Sequence, residues 1–335
     1  MPELNLGLVG LGRIGQMHAA NITSTAGIGT LSVFDLSEEQ LSKAVADFGA
    51  TAYDSLQELI GSGIDGLVIA AGTSAHASLI RAGVDAGIPV FCEKPLAPAA
   101  EVPELLEYIR HRNGVVQIGH QRRLDSGYLE AKRAFEAGEL GWIHTLRAVT
   151  CDARPPAIEF LATSGGLFRD CSVHDFDILH WLTGREITSV FARGSNRGDP
   201  RIGEVGDVDT AMAMITFDDG TLGSVTASRY NGAGHDVRLE VQGSESTMVV
   251  GLDERSAFRS AEADIGFPTG TSHAEFMNRF EDAYLREMEA FTEVIRGVRS
   301  NPCTPEDAVA ASAIADAAQQ SLETGQPVAV HPVGQ

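Results

Sequence analysis

The sequence predicts an α/β chain in two parts: a doubly wound parallel sheet over residues 1–121, then an α+β domain with mostly antiparallel strands over residues 122–335. Three observations predict it. Apolar runs of strand length alternate with helical periodicity as far as residue 121. A Gly10-x-Gly12-x-x-Gly15 turn stands between the first run and the first helix. From Ile187 onward, strand-like runs are joined by hairpin turns such as Asp218-Asp219-Gly220.

In chain order, Leu6, Leu8 and Val9 make the first buried strand, and residues 16–21 continue as a helix after the glycines. Residues 31–34 form a second strand ending in Asp35. Residues 38–48 are helical with Leu41, Val45 and Phe48 on one face, and Leu56, Leu59 and Ile60 mark a short helix. Residues 66–71 are a third strand. Thr73 and Ser74 cap the helix that follows, which runs through His76, Leu79 and Val84. Residues 89–92 are a fourth strand, ending at Glu93-Lys94-Pro95, and residues 115–119 a fifth. Then the pattern changes. Residues 124–137 are an amphipathic helix and residues 142–150 a strand; Ser164-Gly165-Gly166 leads into a helix over residues 170–181. Hairpins occupy 211–228 and 237–250, residues 253–272 read as an excursion outside the sheet, and helices over 275–296 and 305–323 close the chain.

Each glycine of the first turn has a mechanical reason. Gly10 permits the tight turn, Gly12 lets a pyrophosphate approach the backbone, and Gly15 lets helix and strand pack closely. The phosphates then meet unpaired N–H groups at a helix N-terminus. Asp35 lies 20 residues past Gly15, where a ribose-binding carboxylate is expected. With no positive charge at Leu36 to accept a 2′-phosphate, the pattern predicts NAD over NADP. The plainer alternatives are a structural turn for the glycines and a helix cap at Ser37 for Asp35.

Composition narrows the partners. A formal net charge of −21 argues against nucleic acid and anionic membrane, which would repel the chain. No apolar stretch approaches a membrane span, and the N-terminus, where the glycine turn begins almost at Met1, lacks a basic region followed by an apolar one. The sequence therefore predicts a cytoplasmic protein. Its four cysteines show no C-x-x-C pair, and its histidines show no H-E-x-x-H spacing, so neither a disulfide framework nor a metal site is expected. Cys171 reads as a buried thiol. No G-x-S-x-G elbow supports a serine nucleophile.

The chemistry concentrates in Asp170-Cys171-Ser172-Val173-His174. Asp170 and His174 stand one helical turn apart and share a face. Val173, Phe176, Leu179 and Leu182 form the apolar stripe, and Asp170, His174, Asp177 and Trp181 the polar one beside it. A histidine near a nicotinamide takes a hydroxyl proton as hydride leaves carbon, and a carboxylate holds its tautomer. An exposed helix with an ordinary Asp–His pair is the alternative. Lys94, fixed before a proline at a strand end, suits polarisation of the hydroxyl, or else neutralisation of a phosphate or a solvated surface.

Gly10-x-Gly12-x-x-Gly15, Glu93-Lys94-Pro95, and Ser164-Gly165-Gly166 followed by Asp170-x-x-x-His174-Asp175 together resemble the glucose–fructose oxidoreductase / inositol 2-dehydrogenase / MocA family, nearest its inositol 2-dehydrogenase branch. Phe280-x-x-Ala283-Tyr284-x-x-Glu287 and Glu306-Asp307-Ala308 are similar to that branch too. The resemblance spans nearly the whole chain. It implies NAD binding by the first domain and an open, mostly antiparallel sheet in the second, through which homodimers or homotetramers form. It gives Lys94, Asp170 and His174 the catalytic positions. The implied cofactor contacts are Gly10, Gly12, Arg13, Ile14, Gly15, Asp35, Thr73, His76, Glu93, Lys94 and Gln121, with Glu93 on the cofactor side rather than a general base. Asp152 and Tyr284 take substrate-pocket positions, to which Arg154 and His235 add polar groups beside Lys94, Asp170 and His174. His235 stands where the inositol enzymes carry the second tyrosine of Tyr-Gly-Tyr-Asp; contact with a polyol and a cap on the sheet surface are both open to it.

The expected activity is NAD-dependent oxidation of a ring hydroxyl of a neutral cyclitol, myo-inositol first, or of a pyranose. The alternatives are a redox-neutral glycosidase that oxidises its substrate transiently, and a non-catalytic NAD-binding module. Lys94, Asp170 and His174 together speak against the last.

Overall fold

The computed structural model describes residues 2–331. The chain divides into two compact units: the first is the chain up to Leu124 together with Asp282–Val309, the second Asp125–Glu281 together with the chain from Ala310. The expected boundary at 121/122 thus has a neighbour at 124/125. The return of 282–309 to the first unit differs from the expected plan.

In the first unit, β1 (Leu4–Val9), β2 (Ile28–Phe34), β3 (Thr51–Ala52), β4 (Gly66–Ile69), β5 (Val90–Glu93) and β6 (Val116–Gly119) form a parallel sheet in the order β3-β2-β1-β4-β5-β6. The order reverses between β1 and β4, the switch point at which sheets of this kind bind ligands. Helices α1 (Arg13–Ser24), α2 (Glu38–Phe48), α3 (Leu56–Gly61), α4 (Thr73–Asp85) and α5 (Val102–Arg112) connect the strands. Side chains alternate across the pleat, so the sheet buries two cores. Leu6, Leu8, Leu31, Val33, Val68 and Phe91 face α1 and α2, while Val9, Leu67, Ile69, Val90 and Ile118 face α4 and α5.

Two elements lie outside the sequence pattern: β3, only two residues long, and α5. On α2 the buried residue is Ala44, with Leu41 and Phe48 packed beside it, whereas Val45 is exposed. The expected caps of α4 are also displaced. Gly72 is the N-cap and no side chain caps the helix, so Thr73 and Ser74 already lie within its first turn.

The second unit opens with α6 (Ser126–Glu136), capped by Asp125, whose carboxylate accepts from the backbone N–H groups of Gly127 and Tyr128. Then come β7 (Ile143–Cys151), α7 (Ile158–Leu161), a wide helical turn over Phe168–Ser172, and α8 (Val173–Thr183), which packs on α6 and β7. β8 (Ile187–Ser195), α9 (Pro200–Glu204), β9 (Thr210–Phe217), β10 (Leu222–Ser228), β11 (Asp236–Gly243), β12 (Thr247–Val250) and α10 (Phe276–Arg279) follow. After α11 (Glu281–Ile295), α12 (Pro305–Thr324) and β13 (Val328–Ala329) are the last elements among the described residues. The sheet runs β12-β11-β7-β10-β9-β8-β13, antiparallel except where β10 pairs with β7. Residues 253–272 contribute no strand to it.

The helix expected over 275–296 breaks at Phe280, whose backbone leaves the helical region at φ −114°, ψ 21°. The part beyond the break, α11, sends Met288, Phe291 and Ile295 into the core that covers Leu6, Leu8 and Phe91. Distant sequence thereby completes the first unit.

Candidate active site

In the first unit the loops after β1, β2, β4 and β5 are knitted together at the carboxyl ends of the strands. Gly10 takes φ +90°, and a Cβ there would lie 2.6 Å from the amide nitrogen of Ala71. A Cβ on Gly15 would lie 1.9 Å from the carbonyl oxygen of Gly10, so helix and turn touch backbone to backbone. Gly12 has open space where its Cβ would stand, which suits a phosphate-facing position at the N-terminus of α1. Asp35 braces this turn: its carboxylate accepts from the N–H of Leu11 at 2.6 Å and from the N–H of Ser37 at 2.8 Å. Ser37, not Asp35, caps α2. Leu36 is 94% exposed, so the loop beside Asp35 presents no cation. Arg13 is exposed and Ile14 half-buried on the same turn. These residues fit the dinucleotide that the turn predicts.

The remaining cofactor candidates divide. Thr73 sits half-buried at the start of α4, and Lys94 half-buried just past β5, where the Lys94–Pro95 peptide is cis. Gln121 is buried in the turn after β6. His76 departs from the expectation. It is buried, and its two ring nitrogens lie 2.8 Å from the Pro95 carbonyl and 3.0 Å from the Ala71 carbonyl. It therefore ties the Lys94–Pro95 turn to the loop after β4. Glu93 departs likewise, because its carboxylate turns inward to His18 at 2.7 Å. Tyr284, expected in the substrate pocket, is buried in this unit with its ring 6.1 Å from that of His18. Burial, and then the neighbouring Glu93, push its phenol well above the ordinary range.

In the second unit Asp170 lies within the wide turn and His174 in the first turn of α8, both half-buried. The stripe Val173, Phe176, Leu179 and Leu182 is buried as predicted, but Asp175 and Asp177 are buried too. Asp175 has its reason in β7: the Thr150 hydroxyl donates to its carboxylate at 2.9 Å. Asp170 is gripped by Arg229, whose Nη1 lies 2.7 Å from Oδ2, while Nη2 reaches Asp207 at 3.1 Å. The Arg229 side chain is wholly buried. Burial opposes its charge, yet Cys171, Asp170 and Asp207 together hold its pKa above the ordinary arginine value. Asp207 is itself anchored by the N–H groups of Leu167 and Val208.

From Asp170 the polar contacts continue. The Cys171 thiol sits 3.9 Å from Asp170 Oδ2 and 3.7 Å from Asp152 Oδ2, and the other oxygen of Asp152 is 3.2 Å from Nδ1 of His235. Asp152, Asp170 and His235 are thus brought into one chain, whereas Arg154 lies exposed. His235 is buried against Asp152, so a surface cap does not describe it. All four cysteines are free thiols, and Cys171 is buried as expected.

Arg229, Asp207 and His18 escape sequence reasoning, and Glu287 enters it only as the last residue of the Phe280–Glu287 motif, with no role assigned. A lone arginine in a loop-like stretch reads as surface, and nothing local tells that two distant carboxylates converge on it.

Comparison with known proteins gives a consistent picture. Residues 4–120 match the oxidoreductase family described as an NAD-binding Rossmann fold, and residues 132–330 match the C-terminal alpha/beta domain of the same family. The chain is 36% identical to a myo-inositol dehydrogenase of Streptomyces leeuwenhoekii, over 97% of this chain and all of that one. It superposes on a myo-inositol dehydrogenase from Corynebacterium glutamicum with a TM-score of 0.90 and 31% identity, covering 99% of this chain and 100% of that one. It superposes on scyllo-inositol dehydrogenase from Lactobacillus casei, solved with bound NAD(H) and scyllo-inositol, with a TM-score of 0.88 and 28% identity, covering 98% and 99%. No helix among the described residues is long and apolar enough to cross a membrane.

Proposed function

The chain belongs to the glucose–fructose oxidoreductase / inositol 2-dehydrogenase / MocA family, and from that premise we propose that it oxidises a secondary hydroxyl of a neutral cyclitol with NAD, an inositol being the first substrate. It is an NAD-dependent oxidoreductase acting on CH–OH groups. The observation that carries the substrate class is the run of acceptors in the second unit, where Asp170 and Asp152 are linked through Cys171 and His235 adjoins Asp152. A ring with several hydroxyls needs fixed acceptors, and a site built from them rejects analogues lacking those hydroxyls. The net charge of −21 disfavours capture of phosphorylated sugars.

NAD, when bound, supplies the acceptor for the hydride of the carbinol carbon. The proton chemistry belongs to the chain. In this reading His174 takes the hydroxyl proton and Lys94 polarises the hydroxyl oxygen. Asp170, kept as an ionised acceptor by Arg229, orients the hydroxyl that donates to it. A screen for NADH release across inositols, pyranoses, glucosides and simple alcohols tests the reading. An inositol should be turned over fastest with NADH accumulating. Preference for an aliphatic alcohol, an acyclic hydroxy acid or a phosphorylated sugar overturns it.

We read the enzyme further as a homodimer or homotetramer assembled through the second sheet. Support comes from β9 and β10, where Met212 and Met214 are 58% and 56% exposed two residues apart on β9 and Leu222, 47% exposed, pairs with Thr216 two residues further along it. Light scattering checks this, and a monomer at working enzyme concentration refutes it. The four free thiols suit a reducing cytoplasm.

A further inference from the structure

A buried polar cluster that the proposed chemistry does not use lies in the first unit, next along the chain from Lys94. His18 comes from the middle of α1, Glu93 from the end of β5, and Tyr284 and Glu287 from adjacent turns of α11. His18 and Glu287 are fully buried, and the Glu93 side chain retains 15% exposure. Nε2 of His18 lies 2.7 Å from Oε1 of Glu93. One ligand-type atom from each of His18, Glu93 and Glu287 falls within 4.8 Å of the others.

The walls are apolar or close-fitting. The ring of Phe91 stands edge-on to His18 at 5.3 Å, with Phe291 behind it at 5.9 Å, and Tyr284 meets the histidine edge-on at 6.1 Å. Gly119 on β6 closes a further side: a Cβ there would come within 3.1 Å of the Glu93 carboxylate. In this enclosure Oε2 of Glu287 and Nδ1 of His18 find no hydrogen-bond partner among the described residues.

Two carboxylates and one imidazole so close together in a low-dielectric space cannot all carry charge at tolerable cost. Glu93 is bonded to the imidazole and keeps some contact with solvent, so the fully buried Glu287 is the carboxylate that must be neutralised. We propose that Glu287 is carried as the neutral acid and that His18, Glu93 and Glu287 form a positioning device, which ties the Glu93–Lys94–Pro95 turn to the helix whose N-terminus receives the dinucleotide. With Glu287 uncharged, Glu93 is the single negative charge in the cluster, and its bond to His18 fixes the residue that precedes Lys94. Burial, followed by the charge of Glu93, raises the pKa of Glu287 well above the carboxylate range. The other ionisable group in the cluster is Tyr284 on α11, and the charges of Arg122 in the turn after β6 and Arg13 on α1 reach it. The phenol stays neutral for the same reason of burial. The two guanidinium groups act on Tyr284, not on Glu287.

The kinetic part rests on the assignment of Lys94 to the reacting hydroxyl; the protonation of Glu287 does not. Two measurements on the intact enzyme decide it. Infrared spectroscopy should show the C=O band of a buried carboxylic acid in the wild type, and Glu287→Gln should abolish that band. In turnover, Glu287→Gln keeps a neutral side chain of the same shape and should stay close to wild type. His18→Leu removes the tie and Glu93→Gln strips it of its charge; each should lower kcat by about 10²-fold, the scale of a small misplacement of a reacting group. Affinity for NADH, read by fluorescence, should be retained in all three. If Glu93→Gln or His18→Leu does not fold, the infrared band and the turnover of Glu287→Gln decide alone. Absence of the acid band, or a loss in Glu287→Gln as large as about 10²-fold, overturns the proposal. So does wild-type turnover in a folded Glu93→Gln. One equivalent of divalent metal in the purified enzyme, lost in Glu287→Gln, also overturns it, because a cation rather than a proton would then balance the pair. If no cyclitol is oxidised at all, the functional reading fails while the infrared result still stands.

Discussion

A guanidinium with no solvent contact needs partners that balance its charge, and Arg229 is gripped by Asp170 and Asp207. The consequence for Asp170 is a fixed role. Its Oδ2 is engaged by a permanent cation, which suits the acceptor role proposed for it and accords with the proposal that His174 and Lys94 handle the proton. Arg229→Met would strand two carboxylates, one of them buried, and should cost about 3–5 kcal/mol in stability by chemical denaturation. Arg229→Lys keeps the charge but loses the two-pronged geometry, so it should fold better than Arg229→Met yet turn over poorly. Equal stability of the two variants would remove the buried-pair argument. His174→Ala and Lys94→Ala should each lower kcat by about 10²–10⁴-fold while NADH still binds. Retention of more than about a tenth of wild-type turnover, with chemistry rate-limiting, excludes that residue from the proton path.

At the level of elements, the two glycines that flank Arg13 and Ile14 make opposite demands. Gly15→Ala puts a methyl 1.9 Å from the Gly10 carbonyl oxygen, so α1 must back away from the turn. The expected cost is about 1–3 kcal/mol, seen as a lowered Tm. Gly12→Ala meets nothing in the protein, so its Tm should match wild type while its NADH affinity falls, because the methyl occupies the approach of the pyrophosphate. Calorimetry paired with a fluorescence titration separates the two; a destabilised Gly12→Ala would refute the assignment. This turn was legible in the sequence because it is local: a strand, three glycines and a helix follow one another within fifteen residues. The apolar stripe of α8 was legible for the same reason. The Arg229–Asp170 clamp spans 59 residues, and the His18–Glu93 pair 75. Periodicity carries no information about which distant side chains meet, so both had to come from the fold. The break at Phe280 was hidden too, since helical spacing runs through it.

For the whole molecule, Glu287 makes stability depend on pH in an unusual direction. Its folded pKa stands well above the ordinary value of 4.5. Above that ordinary value the unfolded chain has released a proton that the native state keeps, so stability falls as pH rises, by up to about 1.4 kcal/mol per pH unit from this group. Below it both states are protonated and the group contributes nothing. Glu287→Gln lacks the effect, so its Tm should gain on wild type steadily as pH is raised; a constant difference would place an ionised Glu287 in the native state. The placement of α11 reaches further, into biosynthesis. Met288 and Phe291 cover the sheet face of Leu6, Leu8 and Phe91, yet they leave the ribosome only after almost the whole second unit has been made. The nascent first unit therefore waits with one apolar face bare, open to chaperones and to mispairing, until its last helix arrives. A fragment ending at Leu124 should aggregate or stay molten in circular dichroism, and joining residues 282–309 to it through a flexible linker should restore a cooperative melt. Autonomous folding of the shorter fragment would show that the helix is dispensable to that core.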